Sequence, residues 1–473
     1  MSRSDPVPLV ITAPAVCECE QGYVLSVVLR DWLGLEFTVR YDDRRDYRVH
    51  LEGGPGEISL PASFFNAAAQ AWLEPGSMPR FPLLMWDSSE AFPDAPLTDP
   101  IVPILFGEDS FALSTARTGS SHRLRLPVDV FGSVFFLLSR YEEAIVENQD
   151  THDRFPSQAS AAVKGRFLDR PLADEYVELL FAAMSAIWPS LRRQLPEPVV
   201  RVTCDVDSLH RLDCSMSATA RGLVADLFKH RSTRRARENL STRLRVRSGN
   251  LAQEEDWLNL YWMMEVAEKY RRVMTFFFLV DRHSVLDATY RIDSPVVRLL
   301  LREIHARGHH IGLHASYTTY LSAARTQREA DKLRSVLKQE AIDEPMLCSR
   351  QHYLRWHTPT TAENLESAGV ACDSSLSFAD RAGFRCGTSR DYRMYNVRSR
   401  RELRLLQRPL ILMECSVVEP NYMGMGFKAE ALACMRGLKA SSLAIGRQFT
   451  MLWHNSYFHC DEAYRFFLDL VSQ

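Results

Sequence analysis

The sequence predicts an α/β protein in two parts, with parallel strands joined by crossover helices in the second part. Three observations carry this expectation. The chain has 473 residues, too many for one hydrophobic core, so two domains are expected. From about residue 198, β-branched runs alternate with helical periodicities, the pattern of a parallel sheet with helical connections. Between the parts lies RRQLPEPVVRVTCDVD, a proline-punctuated connector that leads into a strand. We therefore expect a smaller N-terminal α/β domain over 1–195 and a larger domain over 196–473.

The elements follow in order. PLVITAPAV and EFTVRYDD read as strands, GGPGE as a turn, and LPVDVFGSVFFLLSRYEEAI as a helix beginning near Pro127. DEYVELLFAAMSAIWPSL, Asp174 to Leu191, carries apolar residues at helical spacing and ends in Pro189. In the second part VVRVTCDV is a strand, WLNLYWMMEVAEKYRR a helix and VMTFFFLV a fully buried strand. SPVVRLLLREIHARG is a helix with Ser294 as N-cap and Gly308 at its end. HHIGLH is a strand and TQREADKLRSVLKQE an amphipathic helix. PLILMECSVV, a helix around EALACMRGLKA and the strand FTMLWHN complete the chain.

One stretch stands apart. LFKHRSTRRARENLSTRLRVRSGN, around 227–250, is rich in Arg and reads as an insertion after the first strand of the second part. It is either a solvated helical face or a platform for an anionic substrate. No aromatic interleaving accompanies it and the net charge is -2, so no nucleic-acid partner is expected.

Composition bounds the class. With 46% hydrophobic and 25% charged residues, the chain is an ordinary soluble globular protein. No window approaches the ~18 apolar residues of a membrane span. MSRSDPVPLVITAPAV lacks the long apolar region of a secretory signal, so we expect a cytoplasmic protein with no integral membrane segment. The ten cysteines include no CxxC, which argues against a cysteine zinc knuckle and suits a reducing compartment. Cys17 and Cys19 form a CxC at the end of a strand-like stretch, without the paired spacing of a metal site.

Active groups of parallel α/β folds collect at the carboxyl ends of strands. The strand VVRVTC runs into Asp205 and Asp207, HHIGL into His314, with Ser316 and Tyr317 after it, and TMLW into His454. MLCSRQHYLRW brings Arg350 and His352. A carboxylate pair and three histidines are the parts of a hydrolytic metal site: three ligands for zinc or a similar ion, a carboxylate base and a histidine acid. Each has a plainer reading alone. The aspartates could form a capping turn, and a lone buried histidine is more often structural than a ligand. The conjunction is what points to chemistry.

These same stretches carry a resemblance. VTCDVD, EIHARGHHIGLHASY, RQHYLRWHTPTTAENLESAGVACDSSL and MLWHN, in that order, resemble the motifs of the polysaccharide deacetylases, also called NodB-homology proteins or carbohydrate esterase family 4. The resemblance covers roughly Val199 to Gln473 and implies a distorted (β/α)7-type barrel. DVFGSVFFLLSRYEE, THDRFPSQAS and FLDRPLADEYV resemble the uncharacterised domain that precedes a bacterial subgroup of these deacetylases.

Carried over position by position, the resemblance makes Asp205 the base and Asp207 a metal ligand, with Val206 between them. His314 matches the first histidine of the second motif, but the position four residues on is Thr318, a poor zinc ligand. His352 stands where the third motif has a proline, and is the candidate for the missing ligand. His210, His309, His310 and His357 are weaker alternatives. Arg350 matches the arginine beside the base, and His454 the acid. Asp373 or Asp380 would orient His454 or contact substrate. Tyr317, Trp356 and Trp453 are candidate sugar-stacking surfaces, although aromatics beside strands more often pack in the core.

The implied function is a hydrolase, dependent on zinc or another divalent metal ion, that removes an N-acyl group from a sugar. Acetyl and formyl are the acyl groups considered. A carbohydrate is the expected partner: a bacterial surface polysaccharide or its intracellular precursor, such as a lipopolysaccharide O-antigen. The alternative is a non-catalytic carbohydrate-binding or assembly protein on a degenerate barrel. Thr318 favours it; the presence of Asp205, Arg350 and His454 opposes it. The sequence carries no signal of oligomeric state.

Overall fold

The computed structural model describes residues 8–108, 117–118, 121–209 and 255–472. The Arg-rich insertion at 227–250 and His210 lie outside the described residues.

The first half builds a mixed sheet. Its strands are β1 (Leu9–Pro14), β2 (Phe37–Asp42), β3 (Asp46–Leu51) and β4 (Glu57–Pro61). After a separate hairpin of β5 (Leu84–Asp87) and β6 (Ile101–Ile104), β7 (Arg117–Thr118) and β8 (Ser121–Arg125) complete it. The order is β2-β1-β3-β4-β8-β7, with β1 parallel to β2 and antiparallel to β3. The helix expected near Pro127 spans Val130–Leu138, and all nine of its residues are buried. Asp129 caps it, its carboxylate accepting from Gly132 N at 2.8 Å and from Phe64 N at 2.8 Å.

The second half builds the sheet that positions the site. Its strands are β9 (Val199–Val206), β10 (Met274–Leu279), β11 (His310–Ala315), β12 (Cys348–Gln351), β13 (Cys372–Asp373), β14 (Tyr392–Asn396), β15 (Arg401–Gln407), β16 (Leu412–Met413) and β17 (Gln448–Leu452). The order is β14-β15-β13-β12-β11-β10-β9-β17-β16. All neighbours pair in parallel except β14, which turns back on β15. The helices between strands fall where the periodicity places them, among them Pro295–Ala306, where Ser294 Oγ accepts from Val297 N.

This sheet curls. In a flat sheet β12 and β17, four strand steps apart, would be about 19 Å from each other. Yet His352, just after β12, and His454, just after β17, both reach Asp207, at 3.7 and 3.6 Å. The seven-strand barrel implied by the resemblance is thus corrected to a curled half-barrel of nine strands, with β14 and β16 as its edges. Within PLILMECSVV only Leu412–Met413 is strand, and Glu414–Val418 coils into a short helix.

The two halves share one apolar core. Tyr23 packs on both Phe135 and Tyr395, at centroid distances of 6.0 and 4.9 Å. Buried charges cross the same junction. Glu143 accepts from Arg140 and from Arg385, each at 2.9 Å. Asp174 accepts from Thr388 Oγ1 at 2.6 Å, and Glu178 pairs with Arg390 at 3.1 Å. No helix among the described residues is long and apolar enough to cross a membrane.

Candidate functional site

Side chains alternate along a strand, so Thr203, Asp205 and Asp207 share the inner face of β9 and its extension. Val206, between the aspartates, faces the core. On β12 and its continuation the same period puts Arg350 and His352 on the inner face. His314 pairs in register with Arg350, which places the second motif beside the third.

Asp205 is 2% exposed, and its charge is met by Arg350, whose Nη1 lies 3.2 Å from Asp205 Oδ1. The guanidinium is itself fully buried. It donates to Thr203 Oγ1, Ser374 O and Ser374 Oγ, all at 2.9 Å, and lies 4.7 Å from the Phe277 ring centroid. Every part of the arginine is therefore held, and Asp205 is held by it.

Asp207 is the meeting point of three imidazoles. His314 Nε2 lies 3.1 Å from its Oδ1, His352 Nε2 3.7 Å from the same atom, and His454 Nε2 3.6 Å from Oδ2. The other ring nitrogens are engaged. His314 Nδ1 donates to the Arg350 carbonyl at 2.9 Å, and His352 Nδ1 to Asp287 Oδ1 at 2.9 Å. With each Nδ1 bonded, each Nε2 turns toward Asp207, the tautomer and orientation of a metal-ligating histidine backed by a carbonyl or carboxylate.

The ligand atoms of Asp207, His314 and His352 all lie within 4.8 Å of one another. His314 Nε2 and Asp207 Oδ1 are buried with no hydrogen-bond partner among the described residues. A lone pair facing a carboxylate at that range is repulsive unless the ring is protonated or a cation lies between. Without a cation, burial works against protonation of His314, but Asp205 and Asp207 outweigh it and raise the pKa. Burial would likewise raise Asp207, but the imidazoles hold it well below the usual carboxylate range. One divalent cation would satisfy both orphaned atoms, and the donor set of one carboxylate and two imidazoles suits it.

His454 approaches from the other side. Its Nδ1 and its backbone N both bond Glu414 Oε1. Burial disfavours the charged ring, yet Glu414, Asp207 and Asp205 prevail and push its pKa up to about 10. These groups open on a cavity of about 550 Å3, walled by Tyr353, Tyr422 and Tyr457 and, from the first half of the chain, by Thr151, His152 and Arg154. Tyr353 and Leu354, just after His352, have φ of 61° and 54°. Left-handed backbone in two bulky residues is strained, and it turns the chain sharply at the cavity wall.

The other sequence candidates lie elsewhere. Thr318 Oγ1 accepts from Arg325 Nη1 at 2.6 Å, turned to the helix Ala323–Gln339. Tyr317 bonds His152 Nδ1 at 3.0 Å and has the Arg355 guanidinium 4.0 Å from its ring centroid. It supports the wall rather than lining it. Trp453 is fully buried and stacked on Phe458, and Trp356 is buried and donates to Thr358 Oγ1, so both belong to the core. Asp380 accepts from Ser157 Oγ and Gln158 Nε2 in an adjoining cavity that shares Asn421 and Tyr422 with the first. Asp373 is tied to Ser349 and Ser375 and does not touch His454. His309 accepts from Met274 N, His310 faces Glu344, and His357 faces Thr360.

Sequence reasoning missed Glu414 and Asp287. Glu414 sits at the end of an apolar run, ILME, the same placement that singled out Asp205 and His454, so a signal existed. Asp287 lies in a loop and had none. Its carboxylate accepts from His352, Tyr317 N, His283 N and Ser284 N, and these bonds, with burial opposing, lower its pKa.

A family model described as a family of unknown function, DUF7033, matches residues 9–189. No curated protein matches the chain. Among solved structures, one described as a polysaccharide deacetylase from Mycobacterium smegmatis aligns at a TM-score of 0.37 and 14% identity, covering 59% of this chain and 87% of that one. The Puue allantoinase aligns at 0.33 and 12%, covering 48% and 69%. Likenesses at these scores say nothing of activity.

Proposed function

We propose that this chain is a metal-dependent hydrolase that removes an N-acyl group, acetyl or formyl, from a sugar of a bacterial surface polysaccharide or its precursor. The reading rests above all on one arrangement. Asp207, His314 and His352 face a common point, with Asp205 and Arg350 on one side and His454 and Glu414 on the other, in a single cavity.

Asp207, His314 and His352 would hold zinc or another divalent cation. Such an ion supplies Lewis acidity for the acyl oxygen and acidifies the attacking water. Asp205, oriented by Arg350, receives the proton of that water. His454, kept charged by Glu414, gives a proton to the departing nitrogen. The products are a free amino sugar and a small carboxylate. The three tyrosines of the wall offer faces to sugar rings, and Tyr353 and Tyr422 offer hydroxyls to their oxygens, whereas that of Tyr457 is donated to Glu419 Oε1 at 2.7 Å.

The test joins metal analysis to product analysis. Untagged, unchelated protein is expected to carry one equivalent of divalent metal. Surface glycan from cells with and without the gene is expected to differ by one acyl mass per repeat. Metal-free protein that still binds glycan would replace the hydrolase with the binding-protein reading.

A further inference from the structure

A second cavity, about 380 Å3, opens at the opposite mouth of the half-barrel, at the amino ends of β9, β11, β12 and β13. Among the described residues its lining includes four arginines, 201, 271, 272 and 408, and no carboxylate. Just behind it, Asp391 serves two guanidiniums at once. Its oxygens receive Arg201 Nη1 and Nη2, both at 3.0 Å, and Arg408 Nε at 3.3 Å. Among the described residues, one carboxylate against two partly buried guanidiniums leaves a net positive charge at this mouth.

Arg408 is the less satisfied of the two. Among the described residues its terminal nitrogens meet only sulfur, Cys348 Sγ at 3.5 Å and Met346 Sδ at 3.6 Å. Sulfur is a weak acceptor, so two strong donors face the cavity unmatched. Thr450, 1% exposed, lines the same space, and its Oγ1 has no hydrogen-bond partner among the described residues. Excess positive charge, a guanidinium fork and an unpaired hydroxyl together match a tetrahedral oxyanion with several acceptor atoms.

We propose that this lower cavity binds a phosphate group, free or as the terminal group of a small metabolite. Orthophosphate fills only part of the space, so a monoester fits as well. The roof of the cavity adds a consequence. Thr203 and Ser374 line it, and both bond Arg350, the residue that holds Asp205. An occupant would therefore press on the support of the proposed base from below.

The test is calorimetric titration of the full chain with inorganic phosphate and, in parallel, glycerol 3-phosphate at fixed ionic strength. Saturable one-to-one binding is expected, at least tenfold weaker in Arg408→Gln and retained in Asp207→Asn, which places the ligand away from the proposed metal centre. Tighter binding of the ester than of free phosphate makes a metabolite the occupant; the reverse order makes it phosphate itself. Cys348 provides the position. Its thiol is lowered by its hydrogen bond with Cys372 and by Arg408, against burial, so iodoacetamide labelling can be read by peptide mass spectrometry. Ligand should slow that labelling several-fold in the native chain and not in Arg408→Gln. Should Arg408→Gln misfold, the near-isosteric Thr450→Val is expected to weaken binding in its place. Absence of saturable binding, native affinity in the folded lower-cavity variant, or Cys348 labelling indifferent to ligand would each overturn the proposal.

Discussion

Asp205 and Asp207 sit two residues apart, yet their surroundings differ. Asp205 is enclosed with a buried arginine, whereas Asp207 faces three imidazoles. We expect Asp207→Asn to abolish metal content and Asp205→Asn to keep the metal while losing turnover, as read by elemental analysis and product assay. Equal retention of activity in both would dismiss the division of roles. Behind them, Asp287 fixes the ring of His352. Asp287→Ala should weaken metal affinity about 10- to 100-fold without removing a ligand, measured by competition with a chelating dye. Residues at this scale were readable where they end a predicted strand, as Asp205, His314 and His454 do. Asp287 was not, because a loop carboxylate reaches its partners only through tertiary folding.

At the scale of elements, the helix Val130–Leu138 depends on a cap that is fully buried. Burial pushes the Asp129 carboxyl up to about 7, against the backbone N–H groups that favour its charge. The folded state thus keeps this proton longer than the unfolded chain, whose aspartates titrate near about 4. Its contribution to stability declines as pH climbs from about 4 to about 7, and is constant above that. Urea midpoints across this range should fall less steeply in Asp129→Ser, which keeps a capping oxygen but nothing to titrate; an unchanged slope would assign the effect elsewhere. The helix itself, like Pro295–Ala306 with its Ser294 cap, was legible from apolar period and cap chemistry. The strands β13 and β16, of two residues each, were not, since two residues show no period.

For the whole molecule, alternation of strand and helix announced a parallel sheet, but not its curl or its antiparallel edge. Those are set by tertiary packing, which no local pattern encodes. We propose that the division at 195/196 is one of architecture and not of stability. The fragment 196–473 would expose Tyr395 and leave Arg385 and Arg390 without Glu143 and Glu178. It should aggregate or elute as an expanded species on size exclusion, while the full chain melts in one transition by circular dichroism. A compact, cooperatively melting fragment would refute this.

The wall of the upper cavity has one more consequence. Arg154 donates to the Tyr353 carbonyl, 199 positions away in sequence, and Thr151 and His152 stand beside it. The floor, where bonds would be broken, is drawn from the second half, and part of the rim from the first. Drift within that short rim segment can reshape what enters while leaving the aspartates and histidines beneath untouched. Under the proposed function, admission to the site and the groups beneath it are thereby supplied by distant stretches of one polypeptide.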